Sequence, residues 1–324
     1  MLDLITIGDP TIDTFLKIHD AHLALALQPG QTQICIDYAE KIPVDELHRS
    51  PGGSCINAGV AAARLGLRVG VYGVTGVDPE GDSIRTELDG EGIDTSLMGL
   101  DRRHTTNAST ALVFRGERTL FVWHQPRSYR LPDLPPAAWI YATSVGPRGA
   151  AVNRLHDDLR GHLERNPCRL AFSPGTHQLR MGARALSPLL KASDLLLLNR
   201  HEARELTHVD DQPKALLEAL HVLGPRTVVV TDGAQGSYAF DGERHLRTGV
   251  LAVPVVDRTG AGDAYGATVM VALQLGRPLA EAMAWGTLQA ANVVGVFGAT
   301  PGLLRRRRLQ AAVNLHTELV AEEF

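Results

Sequence analysis

Residues Val255 to Val269 read V-V-D-R-T-G-A-G-D-A-Y-G-A-T-V. Two β-branched residues lead to Asp257. A turn of small residues follows, Gly260-Ala261-Gly262, and then Asp263 opens a helical pattern. Residues this small leave the backbone N–H groups approachable, and a helix N-terminus adds a dipole that favours an anion. A carboxylate beside such a turn has two readings. Asp263 can take the proton of a hydroxyl attacking a bound phosphoryl group, or it can be an ordinary helix N-cap after a glycine turn.

Four other stretches raise similar questions. In P-G-G-S-C-I-N-A-G, Gly52 and Gly53 would let a small polar ligand touch the main chain. Asn57, about one helical turn on, offers the donor and the acceptor that a sugar hydroxyl needs. The alternative is a glycine entry turn with Asn57 inside a helix. In G-D-P-T-I-D, Asp13 could accept from two neighbouring hydroxyls or be a solvated turn residue. In N-R-H-E, Asn199 and Glu202 are spaced i, i+3 on one helix face. Their oxygens suit Mg²⁺ held largely through water, or they form a capping box. In V-V-V-T-D-G-A-Q-G-S, Thr231, Gly233 and Gly236 could grip nucleotide phosphates or make a plain strand-to-strand turn. Each stretch has a bland alternative. What they share is a place at the carboxyl ends of strands, where open α/β sheets bind ligands.

The elements that would position them follow from hydrophobic pattern and turn signals. Strands are expected at Leu2–Ile7, Leu67–Gly73, Ala138–Ala142, Arg169–Phe172, Asp194–Leu198 and Thr227–Thr231, with two short strands around Asp241-Gly242. Helices are expected from Ser54 to Gly66, Asp78–Leu88, Gly149–Glu164, Glu202–Leu206 and Pro213–Leu223, and over about 261–275, 278–294 and 302–319. This alternation predicts a three-layer α/β/α domain with a mainly parallel central sheet. Two β-rich stretches break the rhythm. Thr11–Ile18 and Gln31–Tyr38 flank the Pro29-Gly30 turn signal, and residues 105 to 124 read as a hairpin. Both are assigned to one small sheet. The expected organisation is therefore 1–10, 51–102 and 126–324 as the main domain, with 11–50 and 103–125 inserted as a lid.

Bulk properties narrow the classes further. A length of 324 residues suits one large domain with an appendage. The formal net charge of -4 offers no basic footprint for nucleic acid. Arg305 to Arg308 read as one face of a terminal helix. Cys35, Cys55 and Cys168 are far apart, which argues against a disulfide framework or zinc site and favours a reducing compartment. The first residues lack the basic start and apolar run of a signal peptide, and no apolar run reaches the roughly 18 residues of a membrane span. A cytoplasmic protein with no membrane partner is the expectation.

Taken in order, the five stretches resemble the ribokinase/phosphofructokinase-B (PfkB) family of carbohydrate kinases over nearly the whole chain. G-G-S-C-I-N-A-G-V-A-A-A-R-L-G is similar to that family's N-terminal signature and V-V-D-R-T-G-A-G-D-A-Y to its more specific C-terminal one. G-V-T-G-V-D-P-E-G, L-N-R-H-E-A and V-V-V-T-D-G-A-Q-G resemble its glycine-rich turn, its N-x-x-E motif and its nucleotide loop. The resemblance implies a ribokinase-like fold with a small β-sheet lid that often mediates homodimers. It implies ATP and Mg²⁺ as cofactors, and a sugar as substrate. Asp263 would be the base, and Gly260, Ala261 and Gly262 the anion hole. Asp13, Gly52, Gly53 and Asn57 would hold the sugar. Asn199, Thr231, Gly233, Gly236 and Asn292 would line the nucleotide site, with Asn199 and Glu202 organising Mg²⁺ through water. Asp257 would stand near a monovalent cation such as K⁺. Two residues depart from the pattern: Arg258 replaces a small or hydroxylic residue, and Tyr265 replaces a phenylalanine.

Two rival readings stand beside a sugar kinase. A nucleoside kinase of the same fold would show a ring-sized aromatic pocket around Trp123. A non-catalytic sugar- or nucleotide-binding protein would bind without turnover.

Overall fold

A computed structural model describes residues 1–18, 24–28, 31–114, 117–147, 149–209 and 212–324. The Pro29-Gly30 turn signal and the Arg115-Gly116 tip of the expected hairpin lie outside the described residues.

Among the described residues the main sheet has nine strands. From one edge to the other they are Glu322–Glu323, His245–Thr248, Ser237–Phe240, Thr227–Thr231, Leu195–Asn199, Arg169–Phe172, Ala137–Ala142, Leu2–Ile7 and Val69–Tyr72. The six strands from Thr227–Thr231 to Val69–Tyr72 run parallel. The other three turn back antiparallel at one edge. A parallel sheet covered by helices must be apolar on both faces, and the L-L-L-L run shows it. Leu195 and Leu197 belong to one core cluster, Leu196 and Leu198 to the other. The first cluster lies under helices Ser54–Arg64, Ala261–Gln274, Leu279–Val293 and Arg306–Leu315. The second lies under Ala150–Arg165, Ala183–Ala192, Arg200–Thr207 and Pro213–Val222. The expected three-layer α/β/α class with a mainly parallel sheet is therefore the observed one, with most elements within a few residues of their expected bounds.

The second sheet has the strand order Glu117–Trp123, Asn107–Phe114, Thr11–Ile18, Val44–Gly52. Its pairings are antiparallel except the central one, where Thr11 faces Asn107 and Asp13 faces Ser109 in parallel register. Thr11–Ile18 and the hairpin thus share one sheet, whereas Gln31–Cys35, expected in the same sheet, pairs antiparallel with Ala24–Gln28 in a separate two-stranded one, because its immediate sequence neighbour supplies the partner. Val44–Gly52 carries no clear alternation and was not expected as a strand; it forms because Thr11–Ile18 offers it a template, Thr11 opposite Gly52 and Asp13 opposite Ser50. Thr176–Leu179 and Ala183–Ala192 were likewise unexpected helices, the second carrying Pro188 in its interior. Phe15, Ala111 and Val113 on one face of this small sheet are buried and pack against Phe297 of the main domain. His48 stacks on the same ring at 5.2 Å.

Helix Ala261–Gln274 presses closely on the main sheet. Residues Ala264 to Ala272 are all buried, and Gly266 faces the Tyr141 hydroxyl and Leu197, where a Cβ would sit 2.5 Å from the hydroxyl oxygen. Overpacking such a contact costs about 1–3 kcal/mol. Gly266→Val is expected to lose stability on that scale in urea denaturation; unchanged stability would mean that this contact does not set the helix position.

Candidate active site

The helix Ala261–Gln274 begins at the carboxyl end of the main sheet and has no side-chain cap. Gly260, its N-cap residue, has φ 72 and ψ 0, a left-handed conformation that favours glycine. A Cβ there would also press on Ala299. Helices leave their first N–H groups without intrahelical partners. Here the Ala261 amide makes a long bond to the Arg258 carbonyl, 3.4 Å, and the Gly262 and Asp263 amides meet no acceptor among the described residues. Asp263 is not the cap. It is the third helical residue, and its Oδ2 accepts from Asn57 Nδ2 at 2.8 Å. The expected turn and carboxylate therefore coincide with an uncapped, anion-attracting helix end.

Asn57 comes from the second such end. Gly53, with φ 92, is the N-cap residue of helix Ser54–Arg64, which also lacks a side-chain cap. A Cβ on Gly53 would meet the Asp9 carbonyl, and one on Gly52 the Asp13 carboxylate. Both glycines therefore allow a close approach. Asn57 is buried, and its Oδ1 has no partner among the described residues while its amide nitrogen holds Asp263. Asp13 Oδ1 accepts from Thr11 Oγ1 at 2.8 Å and Ser109 Oγ at 2.6 Å. The structure thus brings Asp13, Gly52, Gly53, Asn57, Asp263 and the 260–262 turn into one region.

Charge is concentrated there. Burial pushes Asp263 above the usual carboxylate range; hydrogen bonds from Asn57 and Ser54 and the charge of Arg118 pull it down, and Asp13 pushes it up. Asp13 is raised for the same first reason, opposed by Ser109, Thr11 and Arg118. Asp257 is buried. Its Oδ1 accepts from the Thr259 amide at 2.9 Å and hydroxyl at 2.6 Å, and its Oδ2 from the Gly298 amide at 3.0 Å.

After strand Leu195–Asn199, Asn199 and Glu202 form the reciprocal capping box of helix Arg200–Thr207: Glu202 N donates to Asn199 Oδ1 at 2.9 Å and Asn199 N to Glu202 Oε2 at 2.8 Å. The cap reading is therefore realised. Burial raises the Glu202 carboxyl, and the like charge of Asp263 adds to it. Thr231, in register with Asn199 and Ser237, ends its strand. Gly233 (φ 54) and Gly236 (φ 90) make the turn that follows. Asn292 donates its amide to the Gly302 carbonyl. Arg258 is exposed. Tyr265 is buried and shares a 2.6 Å hydrogen bond with Ser237, tying the helix to the loop strand.

Sequence reasoning missed several groups. Arg118, on the hairpin, donates from Nη1 to Thr259 Oγ1 at 2.7 Å and stands 3.6 Å from Asp257 Oδ1. Ser109 and Thr11 could have been found only from the strand register. Arg200 pairs with Asp232 at 2.6 Å, beside the turn after Thr231. Trp123 is 64% exposed. Ser109 pairs with Val122, so alternation turns Trp123 to the face away from Asp13. His124 lies on the inner face, 3.9 Å from Asp9.

A carboxyl whose folded pKa is raised stabilises the fold at pH below its unfolded value, and that contribution is lost as pH rises through the folded value. Ionised Asp263 is therefore a stability cost at neutral pH. Asp263→Asn is expected to raise Tm at neutral pH, with the gain vanishing in acid below the ordinary carboxylate range; a Tm unchanged across pH would refute the desolvated setting.

Comparison with known proteins gives the same direction. A 26% identical relative over 267 residues is a fructokinase from Salmonella typhimurium, covering 78% of this chain and 87% of that protein. A nucleoside kinase from Methanothermobacter thermautotrophicus is 29% identical over 234 residues, covering 70% and 73%. A putative ribokinase II from E. coli, in complex with ATP and Mg²⁺, superposes with a TM-score of 0.78 at 18% identity, covering 98% and 100%, a likeness of fold. The model of the pfkB family carbohydrate kinases matches residues 25–305, and the chain belongs to that family of sugar-phosphorylating transferases, whose acceptor is an alcohol group.

Proposed function

We propose that the chain transfers the γ-phosphoryl group of ATP to a hydroxymethyl group of a sugar or sugar-like acceptor. The observation that carries this reading is the pairing of an uncapped helix end with a buried carboxylate, Asp263, held by Asn57. Phosphoryl transfer asks a protein mainly to place groups and neutralise charge. The amides at 261–263 face the phosphoryl group as an anion hole opened by Gly260. Asp263 accepts the acceptor's proton as the new O–P bond forms and the bond to the ADP oxygen breaks. Asp13, the 52–53 backbone and the free Oδ1 of Asn57 orient the acceptor's other hydroxyls. Thr231, Gly233, Gly236 and Asn292 border the nucleotide.

Glu202 and Asn199 suit a water-mediated Mg²⁺. Glu202 is a desolvated carboxylate strained by a neighbouring like charge, and Mg²⁺ often binds through few protein groups and several waters. When bound, Mg²⁺ supplies neutralisation of phosphate charge. A monovalent cation fits Asp257 poorly. Both of its oxygens already accept hydrogen bonds, and the Arg118 guanidinium stands beside it. Turnover is expected to be equal in K⁺ and Na⁺ buffers; a rate that needs K⁺ would reverse this reading.

A sugar is favoured over a nucleoside because Trp123 faces outward and builds no aromatic pocket. Residues 11–50 and 103–125 act as the lid on a main domain of 1–10, 51–102 and 126–324. Phe15, Val113 and Phe297 bring the two together. Homodimers form through the lid edge, where Leu120, Phe121, Val122 and Trp123 are all exposed on an edge strand. Phe121→Asp is expected to shift a dimer to monomer in sedimentation. No helix among the described residues is long and apolar enough to cross a membrane. The free cysteines suit a cytoplasmic setting.

The test is Mg·ATP-dependent ADP release with ribose, fructose, 2-keto-3-deoxygluconate, fructose 6-phosphate and adenosine. One strong signal, lost in Asp263→Asn with ATP binding retained, is expected. Binding of a sugar without turnover would support the binding-protein alternative, and an active Asp263→Asn would remove the base. The Asn57 hydrogen bond favours the ionised form of Asp263. Asn57→Ala should therefore move the acid limb of the kcat/KM profile to higher pH; an unmoved limb would uncouple the two residues.

A further inference from the structure

We propose that Arg200 and Asp232 are positioning residues for the phosphoryl donor: their ion pair holds the glycine turn at 232–236 in one place relative to Asn199 and Glu202, so that the donor's phosphates and Mg²⁺ meet in a single geometry. The inference rests on the assignment of that turn, with Asn199 and Glu202, to MgATP.

The pair stands one step beyond a strand ladder. Strands Leu195–Asn199 and Thr227–Thr231 run parallel, and their last register pair is Asn199 with Thr231. Past that point the two chains part. One enters helix Arg200–Thr207, and the other turns through 232–236 into strand Ser237–Phe240. The next residue of each chain is Arg200 or Asp232, and Arg200 Nη1 donates to Asp232 Oδ2 at 2.6 Å. The link therefore continues the register where the ladder has ended. Its side chains are 30% and 18% exposed, so it is partly shielded from water.

Both residues break the local rules of their places. Arg200 is the first residue of its helix, where the dipole favours an acid and disfavours a cation. Asp232 is the N-cap residue of the short 3-10 turn Gly233–Gln235, where an aspartate ordinarily accepts from its own backbone. Its side chain makes no such bond. Among the described residues the Asp232 carboxylate has Arg200 as its one partner. Two local preferences are given up for one contact between segments, a pattern expected where function selects the residues.

The far end of the turn is fixed by other means. Gly236 lies against the Thr248 carbonyl, where a Cβ would sit 2.0 Å from the oxygen. Ser237 shares a 2.6 Å hydrogen bond with Tyr265, on the helix that carries Asp263. Backbone bonds from Asp232 N to Gly236 O, 2.8 Å, and from Gln235 N to Asp232 O, 2.9 Å, keep the turn's own shape. None of these sets the near end of the turn relative to Asn199 and Glu202; the Arg200–Asp232 pair does. Group transfer is sensitive to such placement, since a displacement of about 1 Å can cost on the order of 100-fold in rate.

The test measures MgATP binding by calorimetry, and initial rates with MgATP and the acceptor varied in turn. It compares wild type, Asp232→Asn, Asp232→Ala, Arg200→Ala, the double alanine variant, and the exchanged pair Arg200→Asp with Asp232→Arg. Asp232→Ala should weaken MgATP binding about 10-fold or more, the scale of losing a partner that orients a ligating group. Its KM for MgATP should rise likewise, with the KM for the acceptor unchanged. Arg200→Ala should match it, and the double variant should be no worse than either single one, because one shared interaction is removed. The exchanged pair should recover part of the loss. Arg200 also lines a small apolar pocket with Leu216, Leu217, Val230 and Tyr238, so its removal can loosen packing. Asp232→Asn keeps the shape without the charge; it should lose part of the affinity, and it decides the matter should the alanine variants misfold. Wild-type affinity for MgATP in the Asp232 variants would overturn the role of the pair. So would equal losses for MgATP and acceptor, or losses that multiply in the double variant. A wild type that does not bind MgATP would instead overturn the nucleotide assignment beneath it.

Discussion

The hydrogen bond from Asn57 to Asp263 joins residues separated by 206 positions, and the rest of the site depends on it. Each partner stands in the first turn of an uncapped helix, one opened by Gly53 and the other by Gly260. The two helices pack against one face of the same sheet, within one core cluster. Two bare helix ends facing one point concentrate N–H groups and positive dipole there. A buried carboxylate is tolerable in that setting because the Asn57 amide and the helix ends offset part of its desolvation. Asn57 spends its nitrogen on Asp263, and its oxygen has no partner among the described residues, so the residue that holds this carboxylate also offers an acceptor to whatever donor approaches it.

Charge at this point is deliberately unbalanced. Asp13 and Asp263 are both pushed up by burial; the charge of Asp13 adds to the cost at Asp263, and that of Asp257 to the cost at Asp13. Glu202 adds a third desolvated carboxylate within reach of Asp263. Such an arrangement weakens the folded state and suits a site that awaits cations and polar ligands. Compensation comes from elsewhere in the fold, in helix Ala261–Gln274 with nine consecutive buried residues and in the double-sided apolar sheet.

The small sheet is held at its stem by polar contacts rather than by a large core. Asp78 caps its own helix through the Gly81 amide and also accepts from the Thr106 amide and hydroxyl, both at 2.6 Å. Arg127, buried, donates to the Thr105 carbonyl at 2.5 Å and to Asp101 at 3.3 Å. Farther out, the Phe15, Ala111, Val113 and Phe297 cluster is small.

Much of this was legible in the sequence. Double-sided apolar runs such as Leu195–Leu198 can be satisfied only by a covered parallel sheet, and glycine turns before helical patterns mark helix N-termini wherever they occur. Those local rules located the turn at Gly260, the helix at Ser54 and the glycine turn after Thr231. They left each carboxylate with two readings. Asn199 and Glu202 turned out to cap a helix, as local spacing allows; Asp263 did not, because Gly260 is the N-cap and Asp263 stands third in the helix, where Asn57 holds its carboxylate. Val44–Gly52 was invisible as a strand, since its pairing is supplied by Thr11–Ile18 and not by its own pattern. Arg118 was invisible as a site residue for the same reason: register across two separated insertions sets its face, and no local signal carries it. The sequence by itself determined the alternation, the turns and the residue types able to do the chemistry, because these follow from short-range sterics and hydrophobic period. Only the tertiary structure decided which carboxylate meets which amide and which cation reaches them, because those pairings are made between segments far apart in the chain and are selected by the packing of the sheets and helices that carry them.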